Sequence, residues 1–399
     1  MDHLFEKQNR LLSLTPLEII RSLMDNINWD APLIAIRGAR GVGKTTLMLQ
    51  YIKQHYGMNT NKALYCDLGG LYFTTHNLLN LADKFYKSGG KHLFLDEVHK
   101  YPTWSIEIKE IYDSYPDMKI VFSGSSLLQL LNGDADLSRR CVPYTMQGLS
   151  FREFLLFQSI TDLPHYKLED LLSNATDICV AINRVCRPLQ HFHQYLRQGY
   201  YPFYFRNNQD YELILENVVN YIVEIELPQL CGVNMENVRK IKSLLSVIAS
   251  SHPFEVDISK LSVASNLQRN TVINYLHYLQ NARLLNLMYS DLVNVKRMQK
   301  PDKIYLENSN LLHALSLTEV LAGTERETFV ANQLRYRNNV EYPLKHGDFH
   351  VDGKYRFEVG GKGKKFDQIA NIPDSYILAD DIEMPIGNKL PIWLIGFLY

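Results

Sequence analysis

The chain has 399 residues, a formal net charge of −1, 46% hydrophobic and 21% charged residues. That length predicts two or three domains of ordinary globular composition, and the near-zero charge excludes a global attraction to nucleic acid or anionic lipid, so any such contact needs a local patch. Five scattered cysteines (Cys66, Cys141, Cys179, Cys186, Cys231) form no C-x-x-C or zinc spacing, the thirteen histidines form no H-E-x-x-H array, and no apolar stretch approaches a membrane span.

A helix is expected around 15–26, followed by a short apolar strand at 32–36. Next comes Gly38-Ala39-Arg40-Gly41-Val42-Gly43-Lys44-Thr45, which fits G-x-x-x-x-G-K-[ST], and Thr46 opens a helical pattern over 46–52. Strand, glycine-rich loop and helix form the context of a P-loop. Gly41 and Gly43 let backbone N–H groups close around phosphate oxygens, and the helix N-terminus favours the same anion. In this reading Gly38–Thr46 bind ATP, Lys44 sits on the β- and γ-phosphates, and the Thr45 hydroxyl holds Mg²⁺.

Residues 62–67 read as a second strand, and His92-Leu93-Phe94-Leu95-Asp96-Glu97 as an apolar strand ending in two carboxylates, a Walker B pattern. Asp96 is assigned to Mg²⁺ through water, and Glu97 to the attacking water. A strand at 119–122 leads into Ser123-Gly124-Ser125-Ser126. Ser123 and Ser125 are both candidates for a sensor of the γ-phosphate, with a helix N-cap before 127–131 as the alternative. Leu137-Ser138-Arg139-Arg140 precedes a strand at 141–146, and Arg140 is the preferred candidate for an arginine finger offered to a neighbouring subunit.

Residues 156–230 read as a helical lid, in which Arg184, Arg187 and Arg197 are equal candidates for a second sensor. Over 231–300 the pattern is a winged helix: helices at 238–249, 258–264 and 270–281, with a wing from 284–289 and 292–295. Val272, Tyr275, Leu276 and Leu279 turn inward. The opposite face offers Gln268, Arg269, Asn270, Asn274, His277 and Asn281, joined by Lys296, Arg297 and Lys300 of the wing. Arg269, Asn270, Lys296 and Arg297 are the candidate contacts to double-stranded DNA, and docking of a partner protein is the rival reading. In the last hundred residues a helix at 325–335 precedes strands at 347–351 and 355–359.

The chain resembles the bacterial and archaeal AAA-type ATPases that carry a C-terminal DUF4143 domain. GARGVGKT, LFLDEVHKYPTW, FSGSSLLQLL and LSRRCVPYTMQGLSFREFL match the ATPase half in order. The likeness continues through Gln198–Pro202, Leu284–Leu287, Lys303–Leu306 and Phe357–Lys362. The last domain is similar to a PD-(D/E)xK nuclease core. That resemblance implies a Mg²⁺ site from Glu327, Asp348 and Glu358, with a supporting lysine two residues later. Here that position is Gly360, leaving Lys362 or Lys364 to reach in from the following loop. A degenerate domain without cleavage activity is the expectation.

The fold class expected is therefore α/β: an AAA-type P-loop parallel-sheet core at 1–155, a helical lid at 156–230, a winged helix at 231–300 and a small nuclease-like α/β domain at 301–399. The function expected is Mg²⁺-dependent ATP hydrolysis coupled to a DNA-associated module. Alternatives are a protein-binding signalling switch and an ATP-dependent nuclease. An ATP-dependent homo-oligomer is a further expectation. The scattered thiols and an N-terminus without a basic, apolar leader point to the cytoplasm, with no membrane partner.

Overall fold

The first helix, α1, runs Asp2–Leu14, earlier than the helix expected at 15–26. Leu4, Gln8 and Leu12, four residues apart, are its buried face. Thr15 is extended, at φ −80° and ψ 117°, because Pro16 disfavours helical geometry in the residue before it. Only the single turn α2, Leu23–Asn26, forms in the remainder of that segment. The computed structural model describes residues 1–127, 137, 139–251, 256–290, 300–343 and 345–399. They divide into two units, 1–147 and 148–399.

In the first unit five strands form one sheet: β1 Leu33–Gly38, β2 Ala63–Asp67, β3 His92–Asp96, β4 Lys119–Ser125 and β5 Val142–Thr145, in the order β2-β3-β4-β1-β5. All four pairings are parallel. Parallel strands need covered faces, which explains why they read as unbroken apolar runs. Leu33–Ile36, Leu93–Leu95 and Ile120–Val121 are fully buried. The crossovers are α3 (Lys44–His55), α4 (Leu78–Lys87) and α5 (Trp104–Ser114). Asn77 caps α4 by accepting from the Asn80 amide at 2.8 Å, and Leu78, Leu81, Ala82 and Phe85 face the sheet. The expected helix at 127–131 lies outside the described residues beyond Leu127.

The second unit begins at Gly148, ahead of the boundary expected at 155. The Leu149–Phe154 motif starts its first helix, α6 (Phe151–Phe157), closed by a Ser150/Glu153 capping box. Phe151 packs edge-on against Phe192 and Phe397, so this motif joins the core of the second unit. Helices α7 (Leu168–Ser173), α8 (Ala175–Val185), α9 (Pro188–Gln198) and α10 (Tyr211–Tyr221) follow. The chain continues through a π-helical turn at Ile222–Glu226 into α11 (Leu227–Cys231).

Three helices come next: α12 (Met235–Ala249), α13 (Ile258–Ser265) and α14 (Arg269–Asn281). Asn266 ends α13 in the left-handed region at φ 52°, which asparagine tolerates better than most residues. Strand β6 (Leu285–Met288) pairs antiparallel with β7 (Lys303–Leu306). The partner of β6 is thus further along the chain than the 292–295 segment expected for the wing; 291–299 lie outside the described residues.

Helices α15 (Ser309–Leu315) and α16 (Ala322–Leu334) lead to a second five-stranded sheet. Its strands are β8 (Val340–Glu341), β9 (Phe349–Val351), β10 (Tyr355–Gly360), β11 (Ser375–Ala379) and β12 (Lys389–Pro391), in the order β12-β11-β10-β9-β8. The β8/β9 and β9/β10 pairings are antiparallel and the other two parallel. Among the described residues no helix is long and apolar enough to cross a membrane.

Candidate nucleotide site

The loop between β1 and α3 turns on glycines. Gly41 and Gly43 have φ of 86° and 103°, a region where a Cβ is costly. Gly38 is required for space: a Cβ there would meet the Met146 carbonyl oxygen at 2.3 Å. Arg21 braces the loop, its Nη1 donating to the Val42 carbonyl at 3.0 Å and its Nη2 to the Gln147 carbonyl at 2.9 Å. Lys44 is buried, and its Nζ donates to the Gly38 and Ala39 carbonyls, both at 2.9 Å. An ammonium is thereby held inside the loop. Thr46, half-buried, follows in the first turn of α3.

Asp96 ends β3 and is 2% exposed. Its Oδ2 accepts from Thr45 Oγ1 at 2.6 Å and from the Tyr65 hydroxyl at 2.8 Å. Its Oδ1 accepts from Ser123 Oγ and from the Glu97 amide, the latter at 3.1 Å. Of the two serines, Ser123 therefore faces Asp96, while Ser125 meets the Leu127 amide at 3.4 Å and donates its own amide to His99 Nδ1 at 3.4 Å. A hydroxyl and a carboxylate in contact, beside a buried ammonium and a glycine-rich loop, fit a hard divalent cation and the phosphates it accompanies.

Glu97 adopts the left-handed conformation at φ 54°. Lys100 Nζ lies 3.3 Å, His99 Nε2 3.6 Å and Arg40 Nη1 3.7 Å from its Oε2. Burial pushes the Glu97 carboxyl up, but the charges of Lys44, His99, Lys100 and Arg40 together outweigh it and hold the group below its ordinary range. The carboxylate is thus ionised at neutral pH, as a proton acceptor must be. Arg140, by contrast, pairs with Asp113 of α5, Nε to Oδ1 at 3.1 Å and Nη2 to Oδ2 at 3.3 Å.

The motifs locate Lys44, Thr45, Asp96, Glu97 and Ser123. They miss Tyr65, His99, Lys100 and Arg21, whose roles come from neighbouring strands and turns. His99 and Lys100 follow the Asp96-Glu97 carboxylates after the single residue Val98, so charge proximity was the available signal. Tyr65 carries no comparable sequence signal.

In the second unit the nuclease-like carboxylates also converge. Lys303 Nζ lies 2.7 Å from Glu327 Oε2 and 3.9 Å from Asp348 Oδ1, and the Tyr305 hydroxyl donates to Glu327 at 2.8 Å. Glu358 is buried and paired with the Lys364 ammonium, whereas Lys362 is exposed. Burial, followed by the charges of Glu327 and Glu358, pushes Asp348 up to about 7 against the pull of Lys303. On the helical segment, Gln268, Arg269, Asn270 and Asn274 are exposed, with His277 and Asn281 half-buried. Lys296 and Arg297 lie outside the described residues.

Residues 30–155 match the family described as AAA domain. The matched segment spans the parallel sheet, in which α3 springs from the glycine-rich loop that follows β1, the strand between β4 and β5. Residues 189–322 match a domain of unknown function, DUF8612, in place of the DUF4143 domain that the motifs suggested. Several solved structures show a loose likeness. AMPPCP-bound DnaA from Aquifex aeolicus is 18% identical, over 64% of this chain and 84% of that one, with a TM-score of 0.26. The Aeropyrum pernix ORC1 protein in complex with DNA is 12% identical over 78% and 91%, with a TM-score of 0.31. The S. cerevisiae Hsp104–ADP complex is 13% identical over 70% and 37%, with a TM-score of 0.29. At these scores the likenesses carry no argument about this chain. No curated protein matches the sequence.

Proposed function

We propose that the protein is a Mg²⁺-dependent ATPase whose AAA domain binds and hydrolyses ATP. The convergence of Lys44, Thr45, Asp96, Ser123 and Glu97 at the carboxyl ends of β1, β3 and β4 carries this reading. The loop amides from Gly38 to Thr46 and the Lys44 ammonium hold the phosphates. Thr45 and Asp96 hold Mg²⁺, which neutralises charge on the β- and γ-phosphates when bound. Glu97 orients the attacking water and takes its proton, and Ser123 responds to the γ-phosphate through Asp96. Lys44→Ala is expected to abolish ATP binding. Glu97→Gln is expected to retain ATP and slow turnover by about a hundredfold. Equal turnover in Glu97→Gln and wild type overturns the assignment.

The reading extends to a DNA-associated second unit. Helices α12–α14 followed by the antiparallel β6/β7 pair support a winged helix, and the exposed Gln268, Arg269 and Asn270 at the start of α14 support a nucleic-acid face. Arg269→Ala, Asn270→Ala and a Lys296/Arg297 double alanine are expected to weaken duplex binding. Each lost phosphate contact lowers the salt slope by roughly one. An absence of duplex binding at low salt selects the protein-docking switch instead.

A further inference from the structure

Among the described residues, the Asp96 carboxylate has one side-chain donor from the β2 side of β3. Thr45 reaches it from the start of α3 and Ser123 from β4, both on the side of β3 where β1 and the glycine-rich loop lie. Tyr65 reaches it from the opposite side, from the edge strand β2. In the parallel register Tyr65 pairs with Phe94, two residues before Asp96, so Tyr65 and Asp96 rise from the same face of the sheet. The Tyr65 hydroxyl donates to Oδ2, the oxygen that also accepts from Thr45.

The tyrosine is itself fixed. It is 5% exposed. Its amide donates to Gln8 Oε1 at 2.6 Å, and Gln8 Nε2 returns a bond to the Ala63 carbonyl at 3.2 Å. A donor bound to one oxygen from a rigid strand locks the carboxylate's rotation. The Thr45 hydroxyl spends its proton on that oxygen and turns its lone pairs away from it.

We propose that Tyr65 is a positioning residue for the divalent cation, holding Asp96 and, through it, the Thr45 hydroxyl in the orientation that couples metal binding to nucleotide binding. This rests on the reading of Thr45 and Asp96 as the metal-holding pair. Tyr65 acts through Asp96, so its loss is expected to act on the coupling between metal and nucleotide and to spare the glycine-rich loop.

The test measures the affinity of a fluorescent ADP analogue in Mg²⁺ and in EDTA, with thermal melting as a check of the fold. Wild type is expected to bind more tightly in Mg²⁺. In Tyr65→Phe, which keeps the ring and removes only the hydroxyl, the Mg²⁺-dependent gain is expected to fall about tenfold, the scale of one hydrogen bond to a charged group. Affinity in EDTA is expected to stay at the wild-type value, and melting is expected to remain cooperative with a small drop in midpoint. Electron paramagnetic resonance of Mn²⁺ added to the ADP-loaded protein gives a second readout, with weaker Mn²⁺ retention expected in the variant. A wild-type gain in Tyr65→Phe overturns the proposal, as does an equal loss in Mg²⁺ and EDTA, which marks a merely structural role. A wild-type gain in Asp96→Asn overturns the metal assignment and the proposal together, and Tyr65→Phe failing alone leaves that assignment standing.

Discussion

Gln8 of α1 and Tyr65 of β2 are bonded across 57 residues of sequence, side-chain oxygen to backbone amide, at 2.6 Å. Because β2 is an edge strand, its outer amides and carbonyls have no neighbouring strand to satisfy them. The fully buried Gln8 amide group does so in both directions, through Tyr65 N and Ala63 O. Gln8→Leu keeps the volume and leaves two buried backbone groups without partners. The expected destabilisation of the first unit is about 2 kcal/mol or more, measured as a shift in the urea unfolding midpoint. An unchanged midpoint removes Gln8 from this role.

The expectation of an ATP-dependent assembly is tested at Arg140. Its bidentate pair with Asp113 holds the guanidinium against its own α5. If the side chain serves a neighbouring subunit, that pair must exchange for phosphate on assembly. Arg140→Ala is then expected to keep ATP affinity and lose turnover. Mixing Arg140→Ala with Lys44→Ala is expected to restore part of the turnover, by setting an intact finger beside an intact loop. Light scattering in ATP checks the assembly; a monomer with full turnover contradicts it.

Acid sensitivity has a named source in His92. Burial pushes its imidazole down to about 3, with the Lys119 charge adding to the shift. Nδ1 meets the Tyr56 hydroxyl at 3.0 Å, while Nε2 is buried with no partner among the described residues. In the unfolded chain the imidazole takes a proton near its ordinary value of 6.5. Between 6.5 and 3 the unfolded state therefore binds more protons than the folded one. Stability is complete above about 6.5 and falls as the pH drops toward 3. His92→Phe removes this contribution. Urea midpoints at neutral and mildly acidic pH are expected to diverge less in the variant than in wild type, and identical pH slopes refute the attribution.

The second-unit carboxylates already have ammonium partners within the fold. Lys303 serves Glu327 and Asp348, and Lys364 serves Glu358. Gly360 supplies no side chain where a nuclease of this type needs a lysine. Little or no cleavage of DNA or RNA is expected with Mg²⁺ or Mn²⁺, and Asp348→Ala is expected to leave ATP turnover unchanged. Lys303→Met leaves the half-buried Glu327 and Asp348 without their ammonium and is expected to destabilise the second unit by about 2 kcal/mol, read by chemical denaturation. Metal-dependent cleavage lost in both Asp348→Ala and Lys362→Ala contradicts this view.

Local patterns in the chain were enough to find the glycine-rich loop, the apolar strands around it and the carboxylates of Asp96 and Glu97. The reason is physical. A loop that wraps phosphate must carry glycines at set positions, and a strand covered on both faces must be continuously apolar, so both demands are written into contiguous residues. The same holds for the three helices of 235–281, whose apolar spacing is local. Where the rule is only local, it also misleads: the helix expected at 15–26 gives way to α1 because Pro16 governs Thr15 and the buried Leu4–Gln8–Leu12 face lies upstream. Tertiary structure alone decided the partners of those groups. Tyr65 on Asp96, Gln8 on Tyr65, Lys303 between Glu327 and Asp348, and Lys364 instead of Lys362 on Glu358 each join residues from different elements. The first of those pairings follows from strand order and parallel register, and the others from helices, loops and strands packed together, which bring side chains into contact only after the chain has folded.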